Sequence, residues 1–226
     1  SYPIYSKERT LDDPIVVGGG PCSYNPEPIA DFFDVFYIGE GETRYDDVFA
    51  CYKKMKASGA TRHEILHSIS LIPGIYVPSM YECAYNEDGT LSSFEPIYDD
   101  VPKTVTKEVV MDFNNVDYPE KPLVPFIQVT QDRVTLEIMR GCIRGCRFCQ
   151  AGQIYKPIRG RNAERLEGYA KEMLENTGHE EISLSSLSSS DYPELERICN
   201  YLIDELCGKH INISLPSLRV DAFSLD

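Results

Sequence analysis

The chain has 226 residues of ordinary globular composition, 42% hydrophobic and 26% charged, which is enough for one large or two modest domains with their own cores. A formal net charge of −14 repels phosphate backbones and excludes the whole surface as a nucleic-acid platform. No apolar run approaches the ~20 residues that span a bilayer, and the opening SYPIYSKERT lacks the basic and apolar blocks of a signal peptide. The eight cysteines therefore read as reduced cytoplasmic thiols or metal ligands, not as a disulfide framework.

In chain order, PIVVGG (14–19) has the pattern of a short buried strand ending in glycines. NPEPIADFF (25–33) reads as a helix with proline in its first turn, and DVFYIG (34–39) as a second strand. Helices are expected from about Glu42 to Ser58 and from Thr61 to about Ile69. Tyr, Val and Phe then flank Asn86-Glu87-Asp88-Gly89, which predicts two strands joined by a turn. Residues 99–130 carry Pro102, Pro119, Pro122 and Pro125 with little periodicity and read as a linker.

From Arg133 the alternation is regular: strand RVTLEIM, a cysteine loop, helix NAERLEGYAKEMLENTG, strand EISLSSL, helix PELERICNYLIDELCGK, strand INISLP. Strands alternating with helices predict a parallel sheet, with chemistry at the C-terminal strand ends. The cysteine loop follows the first of these strands.

RGCIRGCRFCQAG places Cys142, Cys146 and Cys149 at C-x-x-x-C-x-x-C, close enough for one loop to wrap one inorganic centre. Structural zinc takes four ligands, and electron-transfer [4Fe-4S] clusters take four cysteines. The next cysteine is Cys199, on a predicted helix. Three thiolates on four irons leave one iron open for a cofactor or substrate; zinc, or simple buried or redox thiols, are the alternatives. Residues 140–165 hold seven basic side chains and one acid, Glu164. That local surplus of positive charge offsets the net negative charge of a thiolate-bound cluster.

The run C-x-x-x-C-x-aromatic-C, with Phe148 as the aromatic residue, resembles the signature of the radical S-adenosylmethionine (SAM) superfamily, and the resemblance covers residues 131–226. It implies a [4Fe-4S] cluster on Cys142, Cys146 and Cys149, SAM chelated to the open iron, and reductive cleavage to methionine and a 5'-deoxyadenosyl radical. It also implies that the Phe148 segment lies near the adenine, and that a reducing partner such as flavodoxin or ferredoxin supplies the electron.

In that superfamily a Gly-Gly-Glu segment often ends the second strand and meets the methionyl amino group. Here the stretch is Ser185-Ser186-Leu187-Ser188-Ser189-Ser190-Asp191. Ser186 and Ser188 are the candidates for cofactor contact, while Asp191 reads equally as a cap for the next helix. Arg219, after the third strand, suits the methionyl carboxylate or an acidic substrate, with a salt bridge to Asp221 as the plain alternative. Arg159-Gly160-Arg161 resembles the Arg-Gly-Arg run of methylthiotransferases, although basic residues before a helix are commonly just solvated.

The segments GGGPCSYNPEP and IGEGE, followed by the cysteine loop and SLPSLRVD, resemble a group of uncharacterised bacterial radical SAM proteins with an N-terminal cobalamin-domain-like region. Turn glycines explain Gly18–Gly20 and Gly39–Gly41 equally well. The Asp-x-His-x-x-Gly motif that ligates cobalt is absent, which disfavours cobalamin in this chain. Cys22, Cys51, Cys83, Cys199 and Cys207 read as core or surface thiols.

The expected architecture is α/β: part of a Rossmann-like, cobalamin-binding-like domain over 1–60, a connecting helix, hairpin and Pro-rich linker over 61–130, and the first βα units of a partial (β/α)6 barrel over 131–226. A barrel of six βα units needs ~180 residues, so the chain reads as a fragment of a longer polypeptide. The expected function is a radical SAM enzyme of unknown substrate; nucleic acid enters only through parts outside this sequence. A non-catalytic Fe-S electron-transfer or sensor protein, and a zinc-stabilised interaction module, are the competing classes.

Overall fold

The computed structural model describes residues 3–222, and the chain divides into two compact units, Ser1–Val110 and Met111–Asp226. The segment expected as a connector, 61–130, is thus shared between them.

In the first unit, β1 (Val17–Gly18) pairs in parallel with β2 (Val35–Tyr37), and β3 (Ile75–Tyr76) pairs antiparallel with β2. The helix expected over 25–33 is replaced by a 3-10 run at Glu27–Phe32, and another 3-10 turn, Pro21–Tyr24, precedes it. Prolines 21, 26 and 28 lack the N–H that an α-helical ladder needs. Two helices, α1 (Tyr45–Ala57) and α2 (Arg62–Ser70), separate β2 from β3. A single crossover helix would return the chain to start a parallel strand; a second helix delivers it to the other end. The Rossmann-like pattern is therefore confined to the β1–β2 pair.

Thr61 starts α2 with a capping box: its Oγ1 accepts from the Glu64 N–H at 3.3 Å, and the Glu64 carboxylate accepts from the Thr61 N–H at 2.7 Å. The helix buries Ile65, Leu66 and Ile69 in the core that holds β2. The hairpin of β4 (Tyr81–Tyr85) and β5 (Leu91–Pro96) forms where the Asn-Glu-Asp-Gly turn predicts it, with Gly89 at φ +81°.

Residues 105–110, expected as linker, extend this unit. The Glu108 N–H donates to the Ile38 carbonyl at 2.9 Å, and the Glu40 N–H to the Glu108 carbonyl at 3.0 Å. Gly39 makes the approach possible: at φ +130°, a Cβ there would sit 2.2 Å from the Glu108 carbonyl oxygen. Asp34, whose side chain is wholly buried, pairs with Arg9 at 3.0 Å and Arg62 at 2.9 Å and ties the N-terminal segment to α2.

In the second unit the elements are β6 (Val134–Glu137), β7 (Met139–Arg140), α3 (Ala151–Ile154), β8 (Arg159–Gly160), α4 (Ala163–Thr177), β9 (Glu181–Ser185), α5 (Leu195–Leu206) and β10 (Asn212–Ser214). The sheet order is β10-β9-β6, all parallel, with Val134 and Ile213 both registered against Ile182 and Leu136 against Leu184. Asn162 caps α4 by accepting the Arg165 N–H at 3.0 Å, and Gly178 ends it at φ +71°.

Alternation assigns the two faces of the sheet. Val134, Leu136, Ile138, Ile182 and Leu184 pack with Leu166, Ala170, Met173, Ile198 and Leu202 of the helices. Thr135, Glu137, Ser183, Ser185 and Ser214 line the other face, which is polar. The outer edge of β6 is closed by a side chain: the Tyr118 hydroxyl donates to the Thr135 carbonyl at 2.6 Å and accepts from the Glu137 N–H at 3.1 Å. Among the described residues this sheet has three strands and forms no closed barrel. No described helix is long and apolar enough to cross a membrane.

Candidate metal centre at the cysteine loop

Residues 141–158 leave the C-terminal end of β6 as a loop whose base is closed by β7 and β8, pairing Met139 with Gly160 and Arg140 with Arg159. Gly141 (φ +86°) and Gly145 (φ +61°) each immediately precede a cysteine and turn the backbone where other residues are strained. At Gly141 a Cβ would meet the Tyr155 carbonyl oxygen at 2.9 Å, so the base of the loop is also tightly packed.

All three thiols are free; Cys142 and Cys149 are half-buried and Cys146 is exposed. The Cys149 N–H donates to the Cys146 carbonyl at 3.0 Å, and the Gly152 N–H reaches the Cys149 Sγ at 3.4 Å. Among the described residues, no three His, Cys, Asp or Glu side chains converge as a metal site. The donor chemistry nevertheless fits an iron-sulfur centre: three reduced soft ligands on one loop, outside the hydrophobic core, one of them receiving the N–H···S bond that tunes such clusters. Phe148 is 92% exposed. Cys199 lies on α5, half-buried against the core, and burial pushes its thiol pKa up.

The serine loop after β9 is organised around Asp191. Ser186 and Ser189 share a hydroxyl contact at 3.0 Å, and Ser188 Oγ donates to Asp191 at 2.7 Å. Asp191 does not cap α5, whose N-cap is Glu194. Its carboxylate, with the side chain only 6% exposed, takes a two-point contact from Arg144 of the cysteine loop and a further one from Arg219 at 2.7 Å. The Arg144 fork, with the Ser188 and Arg219 bonds, holds the Asp191 pKa well below the usual carboxylate range. Arg219 also pairs with Asp221 at 2.7 Å, so carboxylates of this chain occupy both sides of its guanidinium. The backbone joins the same loops: the Ser189 N–H donates to the Ser217 carbonyl at 3.0 Å, and the Arg219 N–H to Ser190 Oγ at 3.1 Å. Cys142, Cys146 and Cys149 thus share the C-terminal end of the sheet with Ser186, Ser188 and Arg219.

Part of the positive charge of 140–165 is answered from outside the segment. Arg140 pairs with Glu137 at 2.8 Å, Arg144 with Asp191. The Arg-Gly-Arg pair is not a solvated patch. Arg159 Nε donates to the Pro157 carbonyl at 2.9 Å. Arg161 is 2% exposed, its guanidinium 4.3 Å from the Phe113 ring centroid, 4.8 Å from Tyr118 and 5.6 Å from Tyr169. Burial lowers its pKa, and its Nε has no hydrogen-bond partner. Its Nη1 donates to the Val116 carbonyl at 3.3 Å, so the guanidinium is held by three aromatic rings and one backbone carbonyl. The aromatic spacing of Phe113 and Tyr118 within the supposed linker is the signal that sequence reasoning passed over.

Residues 1–78 match the family described as radical SAM proteins, N-terminal, and residues 136–225 match the radical SAM superfamily. An uncharacterized protein of Methanocaldococcus jannaschii is 31% identical over 213 residues, 94% of this chain and 39% of the relative, so the chain spans about two fifths of that protein. No solved structure matches. Residues 136–225 are therefore similar to the radical SAM superfamily, and residues 1–78, ahead of them, to the N-terminal region of radical SAM proteins.

Proposed function

We propose that this chain is the cluster-bearing part of a radical SAM enzyme, with Cys142, Cys146 and Cys149 as the ligands of a [4Fe-4S] cluster. The observation that carries the reading is the placement of a three-cysteine loop, closed at its base by β7 and β8, at the C-terminal end of a parallel α/β sheet. When bound, the cluster and SAM supply one-electron reductive cleavage to a 5'-deoxyadenosyl radical, which takes a hydrogen atom from a substrate. The protein's part is to hold and orient. Gly141 and Gly145 set the backbone turns that present the thiols, and the Gly152 N–H hydrogen-bonds one of the sulfurs. Ser186, Ser188 and Arg219 are our candidates for contact with SAM, Ser188 and Arg219 by exchanging their present bonds to Asp191 and Asp221, and Phe148 supplies an exposed ring for the adenine.

A flavodoxin or ferredoxin is the reducing partner of this reading, and the reduced thiols suit the cytoplasm. The polar face of Thr135, Glu137, Ser183 and Ser185 suits a hydrogen-bonding substrate. The test is anaerobic reconstitution with iron and sulfide of the longer polypeptide whose cluster-bearing part this chain is, followed by reduction in the presence of SAM. Formation of 5'-deoxyadenosine is expected. A cluster whose spectrum is unmoved by SAM would identify an electron carrier or sensor instead, and a colourless, zinc-loaded protein would identify a structural module.

A further inference from the structure

One buried carboxylate connects the loops that follow β7, β9 and β10. Asp191 stands in the turn after β9; Arg144 reaches it from the spacer between Cys142 and Cys146, and Arg219 from beyond β10. The contact from Arg144 is two-pronged, Nε to Oδ2 at 2.9 Å and Nη2 to Oδ1, a geometry that fixes direction as well as distance. Ser188 Oγ, at 2.7 Å, holds the same carboxylate from below. Gly145 stands between Arg144 and Cys146, at φ +61° with nothing within 4 Å of its Cβ position, so local packing there does not hold the spacer.

We propose that Asp191 is a positioning residue for the metal centre: through Arg144 it restrains the spacer between Cys142 and Cys146, so that less of the cysteine loop is left to order when iron binds. The proposal rests on the cluster reading above. It assigns Asp191 a task distinct from helix capping and from direct contact with SAM. Arg219 serves as the far anchor, drawing the carboxylate toward the loop after β10, while Asp221 holds Arg219 in turn at 2.7 Å. Ligand-bearing loops gain affinity from such outer contacts because less ordering remains to be done on binding.

The experiment compares wild type, Asp191→Asn, Arg144→Gln and Cys199→Ser in two measurements. In metal-free protein, iodoacetamide labelling is followed residue by residue; after reconstitution with iron and sulfide, loss of iron to a chelator is timed. Asp191→Asn and Arg144→Gln are expected to change the labelling rates of Cys142 and Cys146 while leaving Cys199 unchanged, and to shorten iron retention roughly 10-fold or more. Cys199→Ser is expected to behave as wild type in both measurements. Arg144 is 40% exposed, so its variant carries the test if Asp191→Asn fails to fold. A merely structural staple would lower the melting temperature and raise Cys199 labelling while leaving the relative rates of Cys142 and Cys146 unchanged, and that outcome would overturn the proposal, as would wild-type iron retention in both variants. Wild type that takes up no iron would instead defeat the cluster reading, and the labelling comparison would still decide whether Asp191 organises the loop.

Discussion

Gly39→Ala tests whether the Gly-Glu-Gly-Glu run after β2 serves the fold. The wild-type residue holds φ +130°, and the new methyl group would meet the Glu108 carbonyl oxygen at 2.2 Å and its amide nitrogen at 2.5 Å, both backbone atoms that no side-chain rotation relieves. The strained backbone costs about 1–3 kcal/mol. Driving residues 105–110 away would break the bonds between Glu108 and Ile38, Glu40 and Glu108, and Val110 and the Glu40 carboxylate. Each contributes about 1 kcal/mol. Alanine's smaller unfolded-state entropy offsets only about 0.4–1 kcal/mol. The first unit should therefore lose about 3 kcal/mol or more. Urea unfolding, with amide hydrogen exchange resolved to residues 36–42 and 105–110, measures it. A variant within about 0.5 kcal/mol of wild type, with unchanged protection at Glu108 and Val110, would refute the steric argument.

Leu184→Ala empties a fully buried site on the central strand of the second unit and should cost about 2–5 kcal/mol, read from the unfolding of that unit. Arg161→Lys keeps the charge but loses the flat stack against Phe113, Tyr118 and Tyr169; a destabilisation of roughly 1–2 kcal/mol is expected, and an unchanged midpoint would deny the cage its role. The pH dependence follows from Asp191, whose folded pKa lies below its ordinary 3.8. The stability it contributes is fully present above the unfolded value and is lost as pH falls through the folded one. The difference in unfolding midpoint between wild type and Asp191→Asn should hold constant from pH 8 down to about pH 5 and narrow below about pH 4; a difference that instead grows on acidification would contradict the ion-pair assignment.

The second unit was the more legible half because its signals are local. Leu166, Ala170 and Met173 recur at helical spacing, Val134, Leu136 and Ile138 at strand spacing, and Asn162 and Gly178 mark the ends of α4. The short cysteine spacing lies inside the stretch that matches the radical SAM superfamily, residues 136–225. The first unit was less legible because two of the strands in its three-stranded sheet have only two residues, and because prolines turned an expected helix into 3-10 turns. The missed contacts are distant in sequence. Nothing near Asp191 announces Arg144, 47 positions earlier, so the sequence leaves Asp191 between helix cap and cofactor contact and gives no sign of the pairing. Likewise the linker reading of 99–130 rested on prolines, whereas Glu108 pairs beside Gly39 and Phe113 stacks on Arg161.

The most direct test of the central claim is iron content and electron paramagnetic resonance after anaerobic reconstitution of wild type, Cys142→Ala, Cys146→Ala, Cys149→Ala and Cys199→Ala. The three-thiolate account predicts close to four irons in wild type and in Cys199→Ala, with the reduced-cluster signal lost in each of the other three variants. A full, unaltered cluster in Cys146→Ala would contradict it.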